Sequence, residues 1–447
     1  AYLTAEEIQA QVEQDPLSDA FSMLINLGIY SQQEFQELFE NTLHMVEKSF
    51  DHADGEPKNI SRENLVSTTT FSSQARLLSE RHRFYELAPP TRTDGEQRPE
   101  VMRKHMTRIF DELLTKMRGL VYIGEDVQHG GYYLVTDGLF KKHPFKVRDF
   151  PPDETTLIGA GIGFAQAGLV PIVEIPYAKY LDCGADMFYE AVISNWLSNC
   201  QQPNGMVIRL QGFDKGIFGG NYHTHNMLSF PPGLDVVCFS NGGDYVRGMR
   251  HLVDLARKGR VVMSVDSTDL LNRRHLSEEK KDEFMLSVYP VEDTSREYDL
   301  DEVTIYHYQS TKMTKQPKVV IITYGNGVPT AALAQVSLAE KYSEFEFIVI
   351  DTPCLSKTPG QLKKFFRANE GEISMVVFAD VCKFGAGMPL SARLIELQNE
   401  NLMRSVQEWK VIGASPTYNP LGTYLTFLSK EDIMSTVESM IKTTETA

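Results

Sequence analysis

Cysteine is scarce and poorly placed for cross-linking. Five occur in 447 residues, at Cys183, Cys200, Cys238, Cys354 and Cys382, an odd and widely spaced set with no C-x-x-C. That pattern gives neither a disulfide framework nor a zinc site, and it points to an intracellular, reducing compartment. The eleven histidines contain no H-E-x-x-H spacing, so no side-chain metal centre is expected. No apolar run approaches the roughly 18–20 residues of a membrane span. The opening AYLTAEEIQA lacks a signal-peptide pattern and begins with alanine, which reads as a processed product or a fragment. Positive charge is also in deficit: 44 Lys and Arg stand against 60 Asp and Glu, a formal charge of −16. Nucleic acid and anionic membrane are therefore not expected partners. What remains, 42% hydrophobic and 23% charged residues, is ordinary for a globular chain long enough for two or three domains.

The first part reads as helical. Thr4 and Glu7 form a capping box, Asp15-Pro16 a cap followed by a first-turn proline, and Ser31 and Glu34 a second capping box. Phe35, Leu38, Phe39, Leu43, Val46 and Phe50 then recur at helical spacing. A helical segment over 1–55 is too small to stand alone. Residues 56–101 have linker composition, with some helix expected around Phe71 to Glu86. From Met102 the pattern alternates. Leu120–Ile123, Val170–Ile175, Met206–Leu210, Val236–Phe239 and Val261–Val265 read as buried strands, with helices such as Ala185–Leu197 and Asp244–Lys258 between them. A second such unit has strands at Lys318–Tyr324, Phe345–Asp351 and Met375–Phe378 around a helix at Thr330–Lys341. The expected architecture is two doubly wound α/β sheet domains, over 102–300 and 301–447, behind the small helical segment.

The densest signal lies between Pro151 and Ile175, PPDETTLIGAGIGFAQAGLVPIVEI. Glu154 stands at a helix start, where unpaired N–H groups and the helix dipole favour an acid. Gly159, Gly161 and Gly163 keep every second position small, which would let something flat approach the backbone at a cost in helix stability. Gly168 ends the run. Taken bare, an acid at a helix start is usually structural.

The order of motifs changes that weighting. GEDVQHGGYYLVTDGL from Gly124, the Glu154 stretch, EIPYAKY from Glu174, GGNYHTHN from Gly219 and PPGLDVV from Pro231 follow one another as in a known family. Residues 119–265 resemble the pyrimidine-binding domain of the β subunit of thiamine-diphosphate-dependent 2-oxoacid dehydrogenases. FGAGMPLSARLIE from Phe384 and VIGASPTYNPLG from Val411 are similar to that family's C-terminal domain. The N-terminal YLTAEEIQAQVEQDPLSDAFSMLINLGIYSQQEF resembles the closing segment of the α subunit, which suggests the C-terminal portion of a fused α–β polypeptide.

The resemblance implies specific roles. Glu154 matches the carboxyl group that hydrogen-bonds a pyrimidine nitrogen of thiamine diphosphate and favours the imino tautomer needed to remove the thiazolium proton. An apolar, glycine-lined setting would raise its pKa. Tyr180 falls where the family sets an aromatic ring against the aminopyrimidine, although a core aromatic at a strand end reads equally well. Glu125 matches an acidic position near the cofactor, with a surface carboxylate as the plain alternative. His223 matches a histidine that handles the reacting intermediate or the lipoyl group, and His225 competes with it. Pro176 and the arginine-free DTPCLSKTPG from Asp351 depart from the family pattern.

The family's GDG motif with its downstream Asn is missing, so Mg²⁺ and diphosphate ligands are expected from an α-type half, fused or separate. The implied partners are that half, a second copy of the chain, a lipoyl-bearing acyltransferase and a 2-oxo acid, with branched-chain acids favoured over pyruvate. The implied location is a bacterial cytoplasm or mitochondrial matrix. Two alternatives stand beside this reading: a transketolase or deoxyxylulose-phosphate synthase relative, and a non-catalytic scaffold subunit of the same fold.

Overall fold

The computed structural model describes residues 4–57, 61, 98–198, 204–213, 230–277, 279–291, 298–307, 316–417 and 427–446. The chain divides into two units, Ala1–Thr68 and Thr69–Ala447. The helix expected around Phe71 to Glu86 lies outside the described residues.

Among the described residues the first unit holds three helices, α1 (Ala5–Glu13), α2 (Pro16–Asn26) and α3 (Gln32–Gly55). Their starts are locally encoded: Thr4 and Glu7, then Ser31 and Glu34, form reciprocal capping boxes, and Asp15 accepts the Leu17 N–H. Phe35 packs its ring 4.7 Å from Phe21 and 5.0 Å from Tyr30. None of the three helices buries a residue.

In the second unit, α4 (Met102–Lys116) leads into β1 (Leu120–Gly124), α5 (Leu139–Lys142), β2 (Val147–Asp149), α6 (Glu154–Gln166) and β3 (Val170–Ile175). A 3-10 turn at Ala178–Gly184, α7 (Ala185–Leu197), β4 (Met206–Gly212), β5 (Asp235–Val237), α8 (Gly242–Arg257) and β6 (Val261–Ser267) follow. The six strands form one parallel sheet in the order β2-β1-β3-β4-β6-β5. Alternation along the strands feeds two cores. Tyr122, Ile172, Val207 and Val262 pack with Phe110 of α4 and Met249 of α8, while Ile123, Val173, Ile208 and Met263 pack with Ile158 of α6 and Phe188 of α7.

The chain continues through β7 (Thr304–His307), β8 (Lys318–Thr323), α9 (Gly327–Lys341), β9 (Glu346–Asp351), α10 (Gly360–Ala368), β10 (Ile373–Lys383), α11 (Pro389–Asn399), β11 (Glu408–Ala414) and α12 (Lys430–Thr446). Its sheet runs β11-β10-β8-β9-β7, parallel except for the antiparallel edge strand β7. The two sheets share a core, since Ile322, Ile350 and Phe378 belong to the same cluster as Ile123 and Val173. The segment after β9 runs beside β5, where Cys238 N–H donates to Pro353 O at 2.8 Å and Leu355 N–H to Val236 O at 2.7 Å. The arginine-free DTPCLSKTPG segment thus joins the sheets by its backbone.

Candidate functional site

The six-stranded sheet changes winding direction between β1 and β3: β2 lies on the far side of β1, and β4 on the far side of β3. In open α/β sheets, ligands bind outside the carboxyl ends of the strands beside such a switch point. Glu125 directly follows β1, Glu154 follows β2 after a four-residue turn, and Tyr177 and Tyr180 follow β3. Residues far apart in sequence therefore leave the same edge of three adjacent strands.

Glu154 is the first residue of α6 and is half-buried. Asp153 caps the helix, its carboxylate accepting from the Thr156 N–H at 3.1 Å and hydroxyl at 2.9 Å, and these bonds hold its pKa below the usual range. The start of α6 is clamped to the turn that carries Tyr180. Thr155 Oγ1 donates to Cys183 O at 3.1 Å, and a Cβ at Gly184 would stand 2.9 Å from the Glu154 carbonyl. Only glycine fits there.

Tyr180 is half-buried. Its ring meets Tyr177 edge-on, with centroids 5.5 Å apart, and Tyr177 lies 5.2 Å from Tyr132. The Tyr132 hydroxyl donates to Glu125 Oε1 at 2.7 Å. Burial and the neighbouring Glu125 carboxylate raise the Tyr132 pKa, keeping the phenol a donor. Glu125 and Tyr180 thus end one continuous run of contacts, and Glu154 joins it through backbone packing. Tyr132 and Tyr177 escaped the reading of the sequence. Their signal was present as GGYY in one segment and a tyrosine three residues before Tyr180 in another.

One expectation is corrected. Successive helical residues turn by about 100°, so glycines at every second position cannot share a face. Gly161 points at the sheet, where a Cβ would meet Val173 Cγ2 at 2.8 Å. At Gly159 a Cβ would make only ordinary contact with Met187, at 3.9 Å, and at Gly163 it would meet nothing within 4 Å. Of the three, only Gly161 serves close helix–sheet packing. His223 and His225 lie outside the described residues, which end at 213 and resume at 230.

Beneath the loop after β1 lies a second cluster, on the sheet face covered by α4 and α8. Glu174 of β3, Arg209 of β4 and Asp266 of β6 are wholly buried. Glu174 Oε2 accepts from Arg209 Nη1 and from the Tyr122 hydroxyl, and Glu174 Oε1 accepts from Gln211 Nε2 at 2.7 Å. Arg209 Nε stands 2.6 Å from Asp266 Oδ2. Burial pushes the Asp266 pKa up to about 6, opposed by Arg209 and reinforced by Glu174. Burial works against the Arg209 charge, but Asp266, Tyr122 and Glu174 around it hold its pKa well above the ordinary value. Among the described residues, no group of three or more His, Cys, Asp or Glu is placed to hold a metal ion, and no helix is long and apolar enough to cross a membrane.

The model of the transketolase pyrimidine-binding domain matches residues 100–270, the segment that carries this edge. Among curated relatives, the pyruvate dehydrogenase E1 component subunit beta of Chlorokybus atmophyticus is 32% identical over 145 residues, 30% of this chain and 42% of that protein. The 2-oxoisovalerate dehydrogenase subunit beta of Pseudomonas aeruginosa is 34% identical over 141 residues, 30% of this chain and 40% of that one. The 3-methyl-2-oxobutanoate dehydrogenase subunit beta of Mycobacterium tuberculosis is 28% identical over 258 residues, 56% of this chain and 65% of that one. The chain thus spans 42% and 40% of the length of the first two. Among solved structures, a split-gene transketolase described as an inactive beta4 tetramer matches with a TM-score of 0.53 and 13% identity, over 76% of this chain and 97% of that one. That likeness establishes the fold.

Proposed function

We propose that this chain is the β half of the decarboxylating component of a thiamine-diphosphate-dependent 2-oxoacid dehydrogenase. The observation that carries the reading is the arrival of Glu125, Glu154 and Tyr180 at the carboxyl ends of three neighbouring strands beside the switch point, within the segment that matches the pyrimidine-binding domain. A half-buried carboxylate and a run of tyrosine rings suit an aminopyrimidine, which needs one hydrogen-bonding acid and a flat apolar surface. When bound, thiamine diphosphate would supply the carbanion chemistry that decarboxylation of a 2-oxo acid needs.

The chain's own residues hold, orient and exchange one proton. Glu154 is assigned the hydrogen bond to the pyrimidine nitrogen, Tyr180 the ring contact, and Glu125 a supporting acid whose orientation Tyr132 fixes by its 2.7 Å bond. His223, with His225 as its competitor, is assigned to the substrate or lipoyl side. Mg²⁺ and diphosphate ligands are assigned to an α-type half, so the chain alone would be inactive. A second copy, a lipoyl-bearing acyltransferase and a branched-chain 2-oxo acid complete the proposal. In domain terms, 102–300 is the pyrimidine-binding part, 301–447 a transketolase C-terminal-like part, and 1–55 an α-like tail of a fused polypeptide. The relatives named for 2-oxoisovalerate and 3-methyl-2-oxobutanoate support the branched-chain preference, although a pyruvate enzyme stands beside them.

The experiment is a 2-oxo acid panel with the complete enzyme, thiamine diphosphate and Mg²⁺, for wild type and Glu154→Gln. Branched-chain acids should give the highest kcat/KM, and Glu154→Gln should lower it by at least about a hundredfold. Full activity in the variant would overturn the assignment of Glu154. Turnover of sugar phosphates instead of 2-oxo acids would overturn the dehydrogenase reading.

A further inference from the structure

Gly124, the last residue of β1, and Gly131, in the loop that follows, both press on one buried residue. A Cβ at Gly124 would stand 3.0 Å from Glu174 Cβ and 3.2 Å from Glu174 O. A Cβ at Gly131, whose φ is +65°, would stand 3.1 Å from Glu174 Oε1. Between them run Glu125 and Asp126, and Tyr132 follows directly. The loop closes on itself as well: Gly131 N–H donates to Asp126 O at 3.0 Å, and Thr136 N–H donates to Gly130 O at 3.3 Å. Gly124 and Gly131 thus both approach Glu174 closely, while the tightest contact of a Cβ at Gly124 would be Val127 Cγ1, at 2.7 Å, and the positive φ at Gly131 itself favours glycine.

Glu174 is itself held in place. Tyr122 and Arg209 hold one of its oxygens and Gln211 the other, while Asp266 holds Arg209 from the far side. The register explains the alignment. Glu174 pairs with Gly124 on one side and with Arg209 on the other, and Gln211 pairs with Asp266. Charged and polar side chains thus form a row across four parallel strands, near the sheet's carboxyl edge. A buried ion pair is a weak source of net stability, but a displaced charge would be left unpaired in an apolar interior.

We propose that the Glu174–Arg209–Asp266 row is the fixed support on which the 124–136 loop is seated, which makes Glu174 and Arg209 positioning residues for Glu125 and Tyr132. Their role in catalysis rests on the function proposed above; the seating of the loop does not. Loss of the Glu174 charge frees the carboxamide to turn, weakens the hold of Arg209, and releases both limbs of the loop together. The tyrosine run then loses its Tyr132 end, while α6, capped by Asp153 and clamped at Gly184, keeps its place.

The test is backbone hydrogen exchange on the full chain without cofactor, for wild type, Glu174→Gln and Gly131→Ala. The second variant disturbs the seat without changing any charge, and it serves if the first fails to fold. Exchange across 124–136 should quicken at least about tenfold in either variant, with α6 and β6 unchanged. The near-ultraviolet circular dichroism that Tyr132→Phe removes from wild type should already be absent from Glu174→Gln. Quickening spread evenly over the sheet, or none in the loop, would overturn the proposal. A separate measurement of thiamine diphosphate affinity in the complete enzyme keeps the two readings apart. Selective loosening of the loop with unchanged affinity would uphold the seat and count against the cofactor assignment of Glu125.

Discussion

Two arginines among the described residues are wholly buried, and they are treated in opposite ways. Arg209 lies between Glu174 and Asp266 in the six-stranded sheet, with the Tyr122 hydroxyl 3.1 Å from its Nη1. Arg393 of α11 lies at the seam with the second sheet and makes its hydrogen bonds to Thr352, through the hydroxyl and, at 3.5 Å, the carbonyl. Nε and Nη2 of both arginines lack a hydrogen bond among the described residues, so the difference is the carboxylates at ion-pair distance from Arg209. The carboxylates near it are engaged elsewhere. Asp351 accepts from Ser240, and Asp380 accepts from Tyr324 at 2.6 Å and from the Leu390 N–H at 3.0 Å. Burial lowers the Arg393 pKa and raises those of Asp351, to about 8, and Asp380. Where the first sheet pairs its charges directly, the seam engages its cation and its carboxylates with neutral partners. The direct pairing occurs under the loop that carries candidate site residues, where a displaced charge would lose its partner.

The comparison breaks or sharpens most under removal of each cation. Arg209→Met should cost about 3–5 kcal/mol in a urea titration, because two buried carboxylates then lose the cation between them and keep only neutral partners. A cost near zero would show that the pair is dispensable. The pH dependence comes next. The folded pKa of Asp351 lies above its unfolded value, so its contribution is complete below about pH 4 and is lost as pH rises toward about 8. The slope is at most about 1.4 kcal/mol per pH unit. Asp266 adds a narrower loss that ends near pH 6. Asp351→Asn should flatten the upper part of this profile, measured as the urea midpoint from pH 4 to 8; an unchanged slope would mean that Asp351 is ionised in the fold. Tyr122→Phe removes one hydroxyl but leaves Glu174 and Arg209 paired, and should cost about 1 kcal/mol. Arg393→Met should cost least, within about 1 kcal/mol of zero, since no carboxylate loses its principal partner.

How much of this was legible in the sequence depended on range. The caps at Thr4, Asp15 and Ser31 are local, and the helices begin where they do for that reason. Val170–Ile175 and Ala185–Leu197 matched their expected bounds because an apolar run and a turn-flanked helix need no distant partner to be recognised. Residue 154 was singled out through an ordered set of motifs; the residues alone favoured a structural acid. The tyrosine run was not found, because Tyr132 and Tyr177 meet only once β1 and β3 are known to be neighbours. The buried row had a readable trace, in that VPIVEI, MVIRLQG and VVMSVDS each set an ionisable residue within an apolar strand. Such residues demand partners, but naming the partners requires the register. The glycine alternation misled because a period of two was read on a helix whose period is 3.6.

The most direct measurement concerns the proton that Glu154 is assigned to mobilise. In deuterated buffer, the complete enzyme should speed exchange of the thiazolium C2 proton of bound thiamine diphosphate, followed by proton NMR after rapid quenching. Glu154→Gln should slow that exchange by at least about a hundredfold while thiamine diphosphate remains bound. Equal exchange rates in the two proteins, with the cofactor bound in both, would contradict the account.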